Sequence, residues 1–139
     1  MRAGLDPPGV RVIRIVPLRG LVALLYMGVV VSLSAMPGRQ LARWGVSPYM
    51  LDLLHIPLFA GLALVTMWAI VAPRARRALW VLLGLTLFAG VDEFLQLWVP
   101  GRVASLADFA RDAFGVALGI AFSEGVRPFA LALRREPER

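Results

Sequence analysis

The hydrophobic residues of this chain fall into four long runs that are separated by short polar segments. The runs cover residues 18–36, 53–72, 78–98 and 106–122, and each is close to the ~20 residues that a helix needs to cross a membrane. Backbone groups in lipid must be hydrogen-bonded within the segment, so each run is predicted to be a helix. Proline and glycine at positions 37–38, 73, 100–101, 125 and 128 mark the helix ends. The pattern predicts an all-α integral membrane protein, a four-helix bundle with short connections.

Two parts of this pattern leave alternatives open. The longest connection, residues 37–52, fits either a short helix in the membrane interface or an ordered loop. The first run has a basic leader and a moderate apolar core, so it is either the first span or a signal peptide.

Composition narrows the class of protein. The chain has 139 residues, of which 59% are hydrophobic, and it contains no cysteine. This is too apolar for a soluble domain of that size and excludes a disulfide framework and thiol catalysis. The net charge of +6 comes from arginines spread over separate short segments, without the basic helix or aromatic pattern of a nucleic-acid-binding protein. We expect membrane lipids, and no nucleic acid, as partners.

The arginines also predict the orientation in the membrane. Eleven lie in the first, middle and last polar segments and four in the other two; the eleven are Arg2, Arg11, Arg14, Arg19, Arg74, Arg76, Arg77, Arg127, Arg134, Arg135 and Arg139. Arginine-rich segments stay on the cytoplasmic side, so both termini are predicted to be cytoplasmic. The expected divisions are a cytoplasmic segment 1–17, a transmembrane domain 18–123 and a cytoplasmic tail 124–139.

With this topology, polar side chains converge on the outer side of the membrane. The candidate site comprises Asp52, His55, Asp92, Glu93, Gln96, Arg102, Ser105 and Asp108. Asp92 lies six residues before Trp98, or ~9 Å below the interface at 1.5 Å per residue. Acidic residues at such a depth face protein or a wet cavity and indicate function.

Local spacing suggests roles for several of these residues. The 105–108 segment fits a capping box, with Asp108 reaching back to Ser105, although a functional role for Asp108 stays open. A tight turn at 100–101 would place Arg102 above the carboxylates, to pair with Asp92 or Glu93 or to bind an anionic ligand. His55 is expected to brace one of the same two acids. No metal site and no cofactor are predicted, because one histidine without ligand spacing does not suit zinc.

A stripe of residues on one helix face begins at Asp108 and continues with Asp112, Gly115 and Gly119 at helical spacing. The two glycines form a small-xxx-small pair, which favours close approach of another helix. We expect the stripe to hold the acids against the 78–98 helix, and the glycines to offer a surface for a homo-oligomer.

The spacing of these residues resembles the VanZ-like family of small bacterial membrane proteins. The matching block is Asp52-x-x-His55, then Asp92-Glu93-x-x-Gln96 with Pro100-Gly101-Arg102-x-x-Ser105-x-x-Asp108, followed by Gly115 and Gly119, and it covers most of residues 36–120. The resemblance implies a multi-pass protein of the bacterial cytoplasmic membrane and a link to resistance against the glycopeptide teicoplanin. The chain departs from the family pattern at Leu53, Phe59 and Asp112, where lysine, an aromatic hydroxyl and asparagine are usual.

Three functions fit these observations. The first is a non-enzymatic envelope factor whose outer pocket binds a lipid-linked cell-wall precursor or a glycopeptide. The second is a membrane enzyme that acts on an outer-leaflet lipid or cell-wall substrate, with Glu93 or Asp92 as base and His55 as partner. The third is a small proton-coupled carrier, which four spans would support only in an oligomer. We favour the first.

Overall fold

The protein is all-α, apart from a two-stranded ribbon of two residues per strand. The structure, a computed structural model, describes residues 13–45 and 47–133. In chain order the elements are β1 (Arg14–Ile15), α1 (Pro17–Ser34), α2 (Gly38–Arg43), α3 (Pro48–Ala69), β2 (Ile70–Val71), α4 (Arg74–Leu95), one 3₁₀ turn (Gln96–Trp98) and α5 (Leu106–Leu133).

Three segments of this fold are long and apolar enough to cross a membrane. They are Pro17–Ser34, Asp52–Ala69 and Arg74–Trp98, with mean hydropathies of 1.6, 1.5 and 1.7. Large hydrophobic side chains such as Leu24 and Leu87 are exposed on their outer faces. A soluble protein rarely exposes so much contiguous apolar surface, so these faces suit contact with lipid. Helix α5 is longer than these segments but is not among them, and a fourth span stays a prediction.

Helix boundaries differ from the predicted ones for local reasons. Helix α3 begins five residues early because the Ser47 hydroxyl accepts a hydrogen bond from the Met50 amide (3.2 Å) and Pro48 suits the first turn. The segment 37–52 contains the short helix α2, so the helical alternative for this connection is the correct one. The predicted end of the last helix near Gly125 and Pro128 was wrong, because α5 continues to Leu133.

Helix α3 lies at the centre of the fold and packs most extensively on α5. Gly115 and Gly119 of α5 make this contact possible, because a Cβ atom at either position would overlap the carbonyl oxygen of Ile56 or Ala60 of α3. The glycine stripe therefore faces α3. We had expected it to face the 78–98 helix, and that prediction was wrong. Within the same chain α3 thus covers both glycines, and a homo-oligomer stays a prediction.

Arg14 and Arg19 of the first arginine segment lie with the middle arginine segment at one end of the fold, which we call the ribbon end. There β1 pairs antiparallel with β2. Arg19 lies over the ring of Trp68, with 4.8 Å from its guanidinium carbon to the ring centroid. Buried Arg77 donates to a carboxylate oxygen of Glu124 and thereby ties α4 to α5. From Arg77 to Asp92, α4 rises ~22 Å toward the opposite end.

Candidate functional site

Six side chains form what we call the polar cluster, at the end of the fold opposite the ribbon. They are Ser34, His55, Asp92, Glu93, Gln96 and Asp112. Four of them are almost fully buried, with exposed fractions of 3% for Asp92, 7% for Glu93, 3% for Gln96 and 1% for Asp112. Burial of three carboxyl groups is costly without donors, so each must be accounted for by its hydrogen bonds.

Asp92 is held by the end of helix α1. The Ser34 hydroxyl donates to its Oδ2 at 2.6 Å. Ser34 is the last residue of α1, whereas Asp92 lies one turn before the end of α4. This hydrogen bond therefore fixes the ends of two helices that are far apart in sequence.

His55 is paired with Asp112. The distance from His55 Nδ1 to Asp112 Oδ1 is 2.8 Å. With Asp112 ionised, its carboxylate only accepts, so that Nδ1 donates and Nε2 is the ring nitrogen left for another partner. We had expected His55 to brace Asp92 or Glu93; the prediction failed because the α3–α5 glycine contact brings α5 to His55. The second oxygen of Asp112 is buried and has no hydrogen-bond partner among the described residues.

Glu93 completes the start of helix α5. Its carboxylate accepts a hydrogen bond from the backbone amide of Ser105, while Gln96 Nε2 donates to its other oxygen at 3.3 Å. The Ser105 hydroxyl accepts from the backbone amide of Asp108 at 3.4 Å. One half of the predicted capping box is present, the hydrogen bond from the Asp108 amide to the Ser105 hydroxyl. In the other half, Glu93 of α4 and not Asp108 accepts from the Ser105 amide.

Asp52 and Asp108 lie at the rim of the cluster and share one arginine. Arg111 forms an ion pair with Asp108 and lies 3.6 Å from Asp52 Oδ2. Both Asp52 and Arg111 are partly exposed, so these pairs contribute little to stability. Arg111 is nevertheless already paired with these two carboxylates.

The predicted turn before Arg102 is present. Gly101 has φ of 76° and the Arg102 amide donates to the Val99 carbonyl at 3.1 Å, as in a type II turn. Arg102 does not pair with Asp92 or Glu93; its Nε donates to the Met36 carbonyl (3.3 Å) and its Nη2 to the Leu33 carbonyl (3.2 Å). The last carbonyls of a helix lack intrahelical donors, so Arg102 caps the end of α1.

Two of the cavities in the described part of the chain are lined by members of the polar cluster. The first, which we call the α1–α3 cavity, has a volume of about 170 Å³, and its polar lining comes from Ser34, His55 and Arg102. The second, the α4–α5 groove, has a volume of about 410 Å³ and is lined by Glu93 and Ser105 among apolar residues. Donor groups therefore line the cavity, whereas a carboxylate lines the groove.

No group of three or more acidic, histidine or cysteine side chains in the described part of the chain is placed to hold a metal ion. The carboxylates of the cluster point to separate protein donors and do not converge on one point.

The model of the VanZ/LLP1 family matches residues 9–127, which include the whole polar cluster. The chain belongs to the VanZ/LLP1 family. No curated protein and no solved structure matches it.

Sequence reasoning omitted two members of the cluster of this VanZ/LLP1 protein. Ser34 lies at the end of an apolar run, where nothing distinguishes it from an ordinary terminal serine. Asp112 was on the stripe with Asp108 but was not assigned to the site. The sequence feature that could have identified Asp112 is its position three residues before Gly115. This spacing places it on the face that packs against α3.

Proposed function

We propose that this VanZ/LLP1 membrane protein acts in the bacterial cell envelope, where its polar cluster binds the headgroup of a lipid-linked cell-wall precursor from the outer leaflet. The observation that carries the proposal is the pair formed by His55 and buried Asp112 beside an open cavity that His55 lines. The Asp112 carboxylate holds the His55 ring in place through Nδ1. A headgroup with hydroxyl or amide groups in this cavity would hydrogen-bond to the other ring nitrogen.

The arginines support an outward-facing site. The ribbon end carries Arg14, Arg19, Arg74, Arg76 and Arg77, and the positive-inside rule assigns such an end to the cytoplasm. The polar cluster then faces outward in the cytoplasmic membrane and both termini are cytoplasmic. Exposed tryptophans fit the two interfaces, with Trp68 and Trp80 near the ribbon and Trp44 and Trp98 near the cluster.

Helix α5 completes a bundle of four spans in this proposal. Its Asp112 is turned into the fold and bonded to His55, and its Glu124 is bonded to Arg77. Charged groups that face the bundle and are paired are tolerated in a membrane. Asp112 and Glu124 therefore do not prevent α5 from crossing the membrane.

The proposal is tested in a strain that lacks the gene and is complemented with the wild-type protein or with Asp112→Asn. Asparagine keeps the size of the side chain but removes the charge beside His55. We expect the variant to behave like the deletion strain, with altered lipid-linked precursor levels and altered susceptibility to teicoplanin. Gly84→Ala is the control, since a Cβ atom there meets nothing within 4 Å. Unchanged precursor levels and susceptibility in both the deletion and the variant would rule out this function.

A membrane enzyme is the second candidate, and the His55–Asp112 pair favours it. A buried carboxylate on one ring nitrogen fixes the tautomer and leaves the other nitrogen for proton transfer, as in hydrolases with an Asp–His pair. This geometry moves the role of base from Glu93 or Asp92 to His55. Purified protein in vesicles of total bacterial lipid would then convert one lipid species, and His55→Gln would abolish the conversion. Identical lipid profiles with and without wild-type protein would eliminate this candidate.

A further inference from the structure

The geometry points to an anionic ligand: we infer that the α1–α3 cavity binds an amphiphile whose phosphate or carboxylate contacts Arg102 and whose apolar chain lies against the cavity walls. This inference rests on the proposed function and names the chemical class of the ligand.

The charges around the cavity favour an anion at Arg102. Each carboxylate at this end of the fold has a protein donor: Asp92 has Ser34, Glu93 has Ser105, Asp112 has His55, and Asp52 and Asp108 share Arg111. Arg102 hydrogen-bonds to backbone carbonyls, and within residues 13–45 and 47–133 no carboxylate forms an ion pair with it. Asp92 acts on its charge only at longer range, so an anion in the cavity would gain a direct charge-assisted hydrogen bond. The cavity therefore favours a ligand that brings a negative charge.

Arg102 also has N–H donors that the described residues do not use. A guanidinium has five N–H groups, and two of them are used on the carbonyls of Leu33 and Met36. Those two bonds hold its planar fork in place. About three N–H groups remain, enough for a bidentate contact with phosphate or carboxylate. His55 Nε2, which Asp112 leaves unused, lies on the same cavity and can hydrogen-bond the rest of the headgroup.

The remaining walls of the cavity are apolar, and the cavity is small. Leu41, Trp44, Leu54 and Phe59 supply an apolar lining. The volume of about 170 Å³ is smaller than the ~300 Å³ at which pockets for whole small molecules begin. Only part of a ligand therefore fits inside, and the remainder extends into lipid. An anionic group joined to an apolar chain meets both conditions.

The test uses photo-crosslinking of purified protein in phosphatidylcholine nanodiscs. The probe is dodecyl phosphate with a diazirine in its chain, and the neutral comparison is dodecyl glucoside with the same diazirine. We expect the phosphate probe to label peptides containing Leu41, Trp44 or Leu54 about tenfold more than the glucoside does. Arg102→Gln should reduce this labelling about tenfold, because it removes charge-assisted hydrogen bonds.

Two further variants make the result interpretable. Arg39→Gln removes an exposed arginine of α2 and should leave labelling within about twofold of wild type, since its charge is screened by solvent. Arg102→Lys keeps the charge but loses the fork, so its labelling should fall between wild type and Arg102→Gln. The intermediate result also guards against the possibility that Arg102→Gln only loosens the end of α1.

The outcomes separate the inference from the proposed function. Equal labelling by both probes, with no effect of Arg102→Gln but a loss in Asp112→Asn, would overturn the inference and leave the proposed function standing. Absence of labelling by either probe at this end of the fold would overturn the inference, whereas the proposed function fails only if the deletion and Asp112→Asn leave precursor levels and teicoplanin susceptibility unchanged. Competition by inorganic phosphate as effective as that by unlabelled dodecyl phosphate would identify a free anion as ligand and also overturn the inference.

Discussion

Replacement of Gly115 by alanine should weaken the α3–α5 contact by an amount that the structure predicts. The new Cβ atom would lie 2.5 Å from the carbonyl oxygen of Ile56 and 3.2 Å from Phe59 Cβ. Ordinary contact begins at 3.4 Å, so the helices must separate locally by ~0.9 Å. Overpacking of this kind costs ~1–3 kcal/mol. Any gain of ~0.5–1 kcal/mol from placing alanine in a helix offsets only part of it.

Gly84→Ala is the matched control, because it makes the same change in α4 where a Cβ atom meets nothing within 4 Å. The gain in helix propensity is common to both variants. We therefore expect Gly115→Ala to be less stable than Gly84→Ala by ~1–3 kcal/mol when unfolding in detergent micelles is followed by circular dichroism during titration with dodecyl sulfate. Equal stabilities would show that α3 and α5 do not approach as closely as described.

The same substitution should also disturb the polar cluster. Asp112 lies one turn before Gly115, and a ~0.9 Å displacement directed away from α3 would lengthen the His55–Asp112 distance from 2.8 Å to ~3.7 Å, beyond the ~3.2 Å limit of a good hydrogen bond. The ¹⁵N resonances of the single histidine report this bond. Retention of the wild-type spectrum in Gly115→Ala would refute the link between glycine packing and the site.

Substitutions at three other residues give separate checks by the same unfolding assay. Glu124→Gln should cost about 3–5 kcal/mol, because it leaves buried Arg77 without its anion; a loss below ~1 kcal/mol would contradict the burial of this pair. Gly101→Ala should cost ~1–2 kcal/mol because of its φ of 76°, and an unchanged midpoint would contradict the turn. Glu93→Ala should cost ~1–3 kcal/mol by leaving the Ser105 amide unsatisfied, whereas Glu93→Gln keeps an acceptor and should cost less; equal losses would argue against this cap.

The sequence allowed the helical class and the general position of the site to be predicted. Apolar runs of membrane length are a strong signal, because lipid permits few other backbone structures. The turn at Gly101 was also predictable, since a proline followed by a glycine suits the two central positions of a type II turn. The convergence of Asp92, Glu93 and His55 followed from their positions near helix ends.

The pairing within the cluster could not be predicted in the same way. Spacing along one helix identifies a shared face but does not select the helix that lies opposite. His55 binds Asp112 because Gly115 and Gly119 bring α5 against α3, and the sequence alone did not distinguish this from packing against α4. The same limitation explains why Arg102 was assigned to a carboxylate and not to the end of α1.

The end of α5 was mispredicted for a different reason. Proline and glycine usually end a helix in water, where the chain can hydrogen-bond to solvent. Here the α5 backbone continues through Gly125 and Pro128 to Leu133. Glu124, just before these residues, is bonded to Arg77, and this long-range contact holds that part of α5 against α4.

The Glu93–Ser105 hydrogen bond has a consequence for the order in which the chain assembles. A helix is difficult to nucleate because its first turn fixes several backbone dihedrals for a single hydrogen bond, and its first amides have no partner within the helix. For α5, one of these amides is satisfied by a residue that is made twelve positions earlier. We expect α4 to act as a template during synthesis, so that the register of α5 is chosen as the 100–105 turn leaves the ribosome. The residue that looked like a reacting acid in the sequence would then also direct insertion of the last helix.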